Sequence, residues 1–394
     1  QTTLAGLSGE KRVIKDRAGH IVEDIEKIQL PQDGKPLTLS IDSKIQYVAY
    51  RELKAAVIAN RAKAGAIVVL DSRTGEVLAL ASLPDYNPNN RSRLKPDQIR
   101  NRSVTDTFEP GSTLKPITVA AALESGKVTP ETHIQTAPGS LVVGDHTIRD
   151  THPQGDLTVA QVIQKSSNVG AAKIALSLKA ETMWDQFKDM GFGAMPHSGL
   201  PAEATGNVRP FQKWRPIEQA TMSYGHGISV SLLQLARAYT AFASGGELKP
   251  ITIMKSEATV EGKRVMSERT AHAVTAMLEL AVQSGGTGTK AQVPGFRVAG
   301  KTGTAHKLVG GKGYGNDRYV SSFVGFAPVS APQLVIAVMI DEPSSGEYYG
   351  GTVAAPVFSK VMEGALRSLA VSPDAPLKEW SEPVNNAPVI KEET

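Results

Sequence analysis

Three serines in this chain stand three places before a lysine: Ser8–Lys11, Ser92–Lys95 and Ser112–Lys115. A serine hydroxyl attacks a carbonyl only when a neighbouring base takes its proton, and a neutral lysine amine is such a base. The surroundings separate the three pairs. Ser8 lies in "LSGEKR" and Ser92 in "NRSRLKP", charged stretches that lead into no apolar helix, so both read as solvated surface pairs. Ser112 stands in "FEPGSTLKP", ahead of "ITVAAALESG", a run of good helix formers that stops at Gly126. A proline inside a helix clashes with the carbonyl four residues back, so Pro116 predicts a helix that begins near Ser112. The serine's own N–H is then unpaired at the positive helix end. The lysine three residues on shares its face, which puts a nucleophile and a base on one rigid turn. An ordinary lysine must lose roughly 5 kcal/mol of preference for its charged form to be half neutral at neutral pH, through desolvation and like-charge repulsion.

Two further stretches complete a set. "QKSSNVG" holds the one Ser-x-Asn of the chain, Ser166 and Asn168, between the helix-like runs "LTVAQVIQ" and "VGAAKIALSL". Taken alone, such a polar triplet is a capping turn. "AGKTGTA" holds the one Lys-Thr-Gly, Lys301, Thr302 and Gly303, followed by Thr304. Taken alone, it is an exposed edge strand with a glycine bulge. In the order Ser-x-x-Lys, Ser-x-Asn, Lys-Thr-Gly the three match a known serine acyl-transfer pattern.

A rival motif overlaps the third. "GFRVAGKT", Gly295 to Thr302, fits the phosphate-cradling G-x-x-x-x-G-K-[ST], and "LVIAVMIDE" resembles the strand whose acidic end holds magnesium. The context excludes it. Phe296, Arg297, Val298 and Ala299 prefer a strand to a loop, and "GTAHKLVGGKGYGNDR" has too many glycines for the helix that should follow. No G-x-S-x-G elbow is present, and the eight histidines show no metal-ligand spacing. His226 in "SYGHGIS" and His306 read as structural or substrate-side. Neither a metal nor a cofactor is expected.

The 43 basic and 39 acidic residues are interleaved and the net charge is +4, which argues against a nucleic-acid partner. The absence of cysteine excludes thiolate catalysis, disulfides and cysteine-bound zinc, and is compatible with an oxidising compartment. No apolar run approaches the roughly 18 to 20 residues that span a bilayer, and no signal peptide is visible. The chain opens on Gln1 and is read as a processed form or a piece lacking its natural N-terminus.

The elements that must position these residues follow from the apolar pattern. Residues 1–36 predict a hairpin around Asp16–Gly19 and a linker, "LPQDGKP", too short for a core of their own. A long amphipathic helix is predicted from about Asp42 to Ala62, with Ile45, Val48, Leu53 and Val57 inward. "GAIVVLDSRTGEVLALAS" predicts two strands joined at Ser72–Gly75, and the middle, from about Ile117 to Leu280, is predicted mainly helical. "FRVAGKTGTA", "SSFVGFAPV" and "QLVIAVMID" predict three further strands, "VAAPVFSKVMEGALRSLA" a last helix, and residues 371–394 a loosely ordered Pro-rich tail. The expected fold is α/β (α+β): one five-stranded antiparallel sheet flanked by helices, in a main domain of residues 37–370.

"NRSVTDTFEPGSTLKP", "IQKSSNVGAAKIAL", "SYGHGISVSLLQLARAY", "GKTGTA" and "YYGGTVAAPVFSKVM" together resemble the class B penicillin-binding proteins, in particular the division-specific FtsI type. The resemblance runs from about Leu4 to Leu369. It implies a DD-peptidase/β-lactamase-like domain, with residues 1–36 the remnant of a pedestal domain. It also implies a D,D-transpeptidase that cross-links peptidoglycan stem peptides at the septum and is acylated by β-lactams. An N-terminal membrane helix, absent here, would hold it on the periplasmic face of the inner membrane among division-machinery proteins. In that family's terms Ser112 is the nucleophile, Lys115 its base, Ser166 a proton relay, Asn168 an orienter of the substrate amide and Lys301 a second cation. Thr302, Gly303 and Thr304 would face the substrate, with Tyr348 and Tyr349 walling the site, and the N–H groups of Ser112 and Thr304 would form the oxyanion hole.

Overall fold

The apolar runs from the two ends of the chain become neighbours in one sheet. The computed structural model describes residues 4–92, 94–256, 260–308 and 314–375. In chain order the elements that matter to the site are β1 (Glu10–Lys15), β2 (Ile21–Gln29), α1 (Ser43–Ala59), β3 (Ala64–Asp71) and β4 (Val77–Leu83). They are followed by α2 (Lys115–Glu124), α3 (Val159–Lys165), α4 (Asn168–Leu176), α5 (Leu232–Ala243) and α6 (Glu268–Val282). The chain then enters β5 (Ala299–Leu308), β6 (Tyr314–Ala327), β7 (Leu334–Asp341) and α7 (Ala355–Ser368). The expected antiparallel sheet of five strands is present, in the order β5–β6–β7–β3–β4.

Every residue of β3 and β7 is buried, because helices cover both faces of the sheet. Side chains alternate between faces along a strand. Val68 and Leu70 of β3 and Val335 and Ala337 of β7 therefore join one core with α2, α5 and α6. Ile67, Val69, Ile336 and Val338 join a second core with α1 and α7. This explains why both strands read as continuous apolar runs, unlike a sheet with one wet face. β5 is an edge strand with one side unpaired in the sheet.

The first hairpin forms as expected. Asp16 accepts from the N–H groups of Ala18 and His20, Gly19 supplies the left-handed turn residue, and nearly all of β1–β2 is exposed. Asp42 caps α1 through the N–H groups of Lys44 and Ile45. Ile45, Ala49 and Leu53 form its buried stripe, with Val48 and Val57 half-buried beside it.

The middle is less uniformly helical than expected. Two short hairpins, His133–Gln135 with Asp156–Thr158 and Ser140–Val143 with His146–Arg149, interrupt it. Between residues 133 and 158, turn-forming Gly, Pro and Asp leave the apolar residues isolated apart from Leu141–Val143, too few and too scattered to cover a helix face. β6 begins at Tyr314, ahead of the expected "SSFVGFAPV". Most of the expected Pro-rich tail, residues 376–394, lies outside the described residues. Among the described residues no helix is long and apolar enough to cross a membrane.

Candidate active site

Ser112 lies on a tight turn rather than on the α-helix itself. Pro116 has no N–H to give the Ser112 carbonyl, which instead takes the N–H of Lys115, and a 3₁₀ turn from Gly111 to Leu114 precedes α2. Thr113 Oγ1 donates to the Pro110 carbonyl and the buried Tyr239 hydroxyl donates to the Thr113 carbonyl, which locks the turn. Gly225 lies against the backbone of Gly111, where no side chain would fit.

Lys115 is fully buried beneath this turn. Its Nζ donates to the Ser166 carbonyl at 2.5 Å and lies 3.2 Å from Ser166 Oγ. Lys301, on β5, is also fully buried and its Nζ lies 2.9 Å from the same Ser166 Oγ. One hydroxyl therefore touches both lysine amines. A serine oxygen has two lone pairs and one proton, so Ser166 can accept from both amines and still present its own hydrogen to the cleft. Ser166 ends α3 in the left-handed conformation, φ +61°, a strained state for a residue with a side chain.

What holds that conformation is the start of α4. Ser167 caps the helix by accepting from the Gly170 N–H, and its hydroxyl donates to Asp150 at 2.7 Å. The other Asp150 oxygen accepts from the N–H groups of Asn168 and Val169. Asn168 donates its side-chain amide to the Arg149 carbonyl and lines the cleft.

Burial drives both lysines toward neutrality. Lys115 is pushed well below the ordinary lysine value by burial first and the Lys301 charge second, against the opposing pull of Asp150. Burial lowers Lys301 to about 7. His226 falls to about 4, through burial and then the charges of His306 and Lys115, and is neutral at neutral pH.

Above the lysines lies a cleft of about 750 Å³ lined by Ser112, Ser166, Asn168, Thr302, Thr304 and Tyr349 among others. Thr302 Oγ1 lies 2.8 Å from Thr287 Oγ1, and Thr304 Oγ1 accepts from the Gly350 N–H. Tyr319 and Tyr348 stack at 4.0 Å between ring centres, and Tyr348 packs on Tyr349 at 4.6 Å, a continuous aromatic wall.

Gly303, expected to face the substrate, is packed against the turn that carries Ser112. A side chain there would meet Ser322 Oγ and lie 2.8 Å from the Pro110 carbonyl, so the room glycine leaves is filled by the serine turn itself. It brings nucleophile and strand together rather than touching the cleft. The "GFRVAGKT" stretch is partly strand, and Thr302 lies within β5, which runs on to Leu308 instead of opening a helix, so no phosphate cradle forms. Glu203 is buried: its Oε1 accepts from Ser198 N–H and Oγ, outside the cleft lining. Asp150 and Thr287 were missed by sequence reasoning. Nothing in "TIRDTHPQGD" or "QSGGTGT" ties either residue to a serine or lysine far along the chain.

A serine, two buried low-pKa lysines and a bridging hydroxyl over an open sheet edge form a site able to carry out acyl transfer through a serine ester. The model of the penicillin binding protein transpeptidase domain matches residues 65–363. A probable peptidoglycan D,D-transpeptidase PenA of Neisseria gonorrhoeae is 46% identical over 379 residues, 96% of this chain and 65% of that protein. The peptidoglycan D,D-transpeptidase FtsI of Escherichia coli K12 is 43% identical, over 94% of this chain and 63% of its own length. The chain thus spans slightly under two thirds of these relatives. The transpeptidase domain of Burkholderia pseudomallei penicillin-binding protein 3 is 50% identical with a TM-score of 0.80, covering 86% of this chain and 98% of that structure. The chain belongs to the penicillin-binding-protein transpeptidases, in the class B branch of FtsI type.

Proposed function

We propose that this chain is the catalytic part of a peptidoglycan D,D-transpeptidase that joins stem peptides through an ester on Ser112. The observation that carries this reading is the single Ser166 hydroxyl held between two fully buried lysine amines, beneath the cleft that Ser112 lines. Neutral Lys115 takes the Ser112 proton as Oγ attacks the carbonyl of the penultimate D-alanine. The tetrahedral oxyanion is held by the N–H groups of Ser112 and Thr304. As the C–N bond breaks, the proton passes from Lys115 through Ser166 to the departing amine of the terminal D-alanine. An amine of a second stem peptide then attacks the ester and returns its proton along the same path to Ser112 Oγ.

Lys301, Thr302 and Thr304 receive the substrate carboxylate, Asn168 orients the scissile amide and Tyr349 closes one wall. The unpaired edge of β5 offers its backbone to an extended peptide. Gly303 acts by letting the serine turn pack on that strand. β-Lactams enter as acylating mimics of the donor. Residues 1–36 are the end of a pedestal domain, residues 37–370 the transpeptidase domain and residues 371–394 a tail. The whole protein works at the septum on the periplasmic face of the inner membrane, anchored by an N-terminal helix, with membrane proteins of the division machinery as partners.

Intact mass spectrometry tests the core of this reading. Benzylpenicillin should add its whole mass once, on the peptide containing Ser112, and Ser112→Ala should abolish the adduct. Label on Ser8 or Ser92, or no label, overturns it.

A further inference from the structure

The cleft has a charge imbalance that the acyl-transfer chemistry does not use. Its lining contains one carboxylate, Asp150, and two exposed lysines, Lys165 and Lys290. Asp150 is already committed to Ser167 and to the N–H groups of Asn168 and Val169. Among the described residues neither lysine is in an ion pair: Lys165 Nζ donates to the Gly285 carbonyl at 3.0 Å, and Lys290 makes no hydrogen bond. Both belong to one rim of the cleft. Lys165 reaches across to the start of the segment from Gly285 to Lys290, and Lys290 ends it. The middle of that segment, Thr287, is tied to Thr302 at 2.8 Å and lies 3.4 Å from Lys301 Nζ. An anion that follows this rim is therefore led to the Lys301–Thr302 end of β5. The buried amines beneath are weaker attractors, because burial lowers Lys301 to about 7, so that it is charged only part of the time near neutral pH, and pushes Lys115 well below the ordinary value.

We propose that Lys165 and Lys290 form an anion-capturing rim that draws in the carboxylate end of the donor peptide and hands it to Lys301, Thr302 and Thr304. The inference rests on the transpeptidase reading above. Two exposed cations beside a concave site raise the encounter rate with an anion, and salt screens that effect. The rim thus sets how fast a donor arrives and leaves the acylation step itself untouched.

The test follows acylation of Ser112 by benzylpenicillin, which has one carboxylate, and by a carboxypenicillin, which has two. In the unaltered protein the second-order acylation constant should fall as NaCl rises, more steeply for the dianion. In Lys165→Gln/Lys290→Gln it should drop by about tenfold at low salt and lose its salt dependence. The limiting rate at saturating drug should stay unchanged, and Lys165→Arg/Lys290→Arg should restore the unaltered behaviour. A salt dependence identical in the Gln pair and the unaltered protein overturns the inference, as does a loss that salt does not diminish or that Arg does not rescue. These failures leave acylation itself intact; absence of acylation in the unaltered protein would overturn the transpeptidase reading and the rim with it.

Discussion

Lys301 and Lys307 stand near opposite ends of the same strand, β5, and their surroundings push them in opposite directions. Lys301 is fully buried, its amine near the Ser166, Thr287 and Thr302 hydroxyls and, among the described residues, paired with no carboxylate, and burial brings it to about 7. Lys307 is half-buried. Desolvation pulls it down, but hydrogen bonds and charge from Asp341 and Glu342, at 2.7 and 2.8 Å, outweigh this and raise it. One strand thus holds a lysine poised to trade protons and a lysine locked in its charged form. The difference is whether carboxylates accompany the amine into the protein. Lys115 belongs with Lys301, since its one opposing carboxylate, Asp150, is weaker than burial and the neighbouring cation.

The largest consequence concerns Lys115. Arginine keeps charge and reach but stays protonated. Lys115→Arg should therefore lower Ser112 acylation by about a thousandfold or more while the thermal melt persists. A near-normal acylation rate in a folded variant would place the base elsewhere and end the parallel with Lys301.

Lys301→Ala should shift the pH dependence. In the proposed mechanism acylation needs neutral Lys115, so its rate should fall as pH drops through the pKa of that amine. Removing the Lys301 charge relieves one of the two effects that lower Lys115, so the acid limb of the limiting acylation rate should move to higher pH. Carboxylate recognition should weaken as well. An unmoved limb would show that the two amines do not feel each other.

The two ends of β5 should also differ in stability. Lys301 holds its proton to a higher pH in the unfolded chain, at the ordinary value of 10.5, than in the fold, at about 7. Its folded pKa is depressed, so folding loses stability as pH falls from 10.5 to 7. Lys301→Met should therefore raise stability by about 2 kcal/mol near pH 7, a gain that disappears above pH 10.5. Lys307→Met should do the opposite, lowering stability by about 1 kcal/mol at neutral pH by leaving the buried Asp341 without its partner, with no effect on acylation. Denaturant melts at two pH values decide the matter, and equal shifts for the two variants would remove the distinction.

The smallest effect is expected at Glu203. Serine hydrolases of this fold that clear their ester use a glutamate to activate water. Here the candidate carboxylate is turned to Ser198 and lies outside the cleft lining. The penicilloyl ester on Ser112 should persist for many minutes, and Glu203→Gln should leave its lifetime unchanged. Rapid cephalosporin turnover that is lost in Glu203→Gln would mark a hydrolase.

The pairing of Ser112 with Lys115, the three motifs and the strands that pair were legible in the sequence because each rests on local facts. Ser112 and Lys115 share a turn, Pro116 limits where the helix can start, and β3 and β7 are nearly continuous apolar runs up to Asp71 and Asp341 because both faces of the sheet are covered. The tertiary structure alone decided the distances that make these residues a site. The chain segments around positions 112, 166 and 301 meet only when β3 pairs with β7 and the strands from both ends of the chain share one sheet. That meeting removes water from two lysines without supplying either with an adequate counter-charge. It also twists Ser166 into a left-handed turn between them, ties Asp150 to the next helix and fills the space at Gly303 with the serine turn. A pKa depends on what surrounds an amine in space, and the residues that surround these amines are distant in sequence.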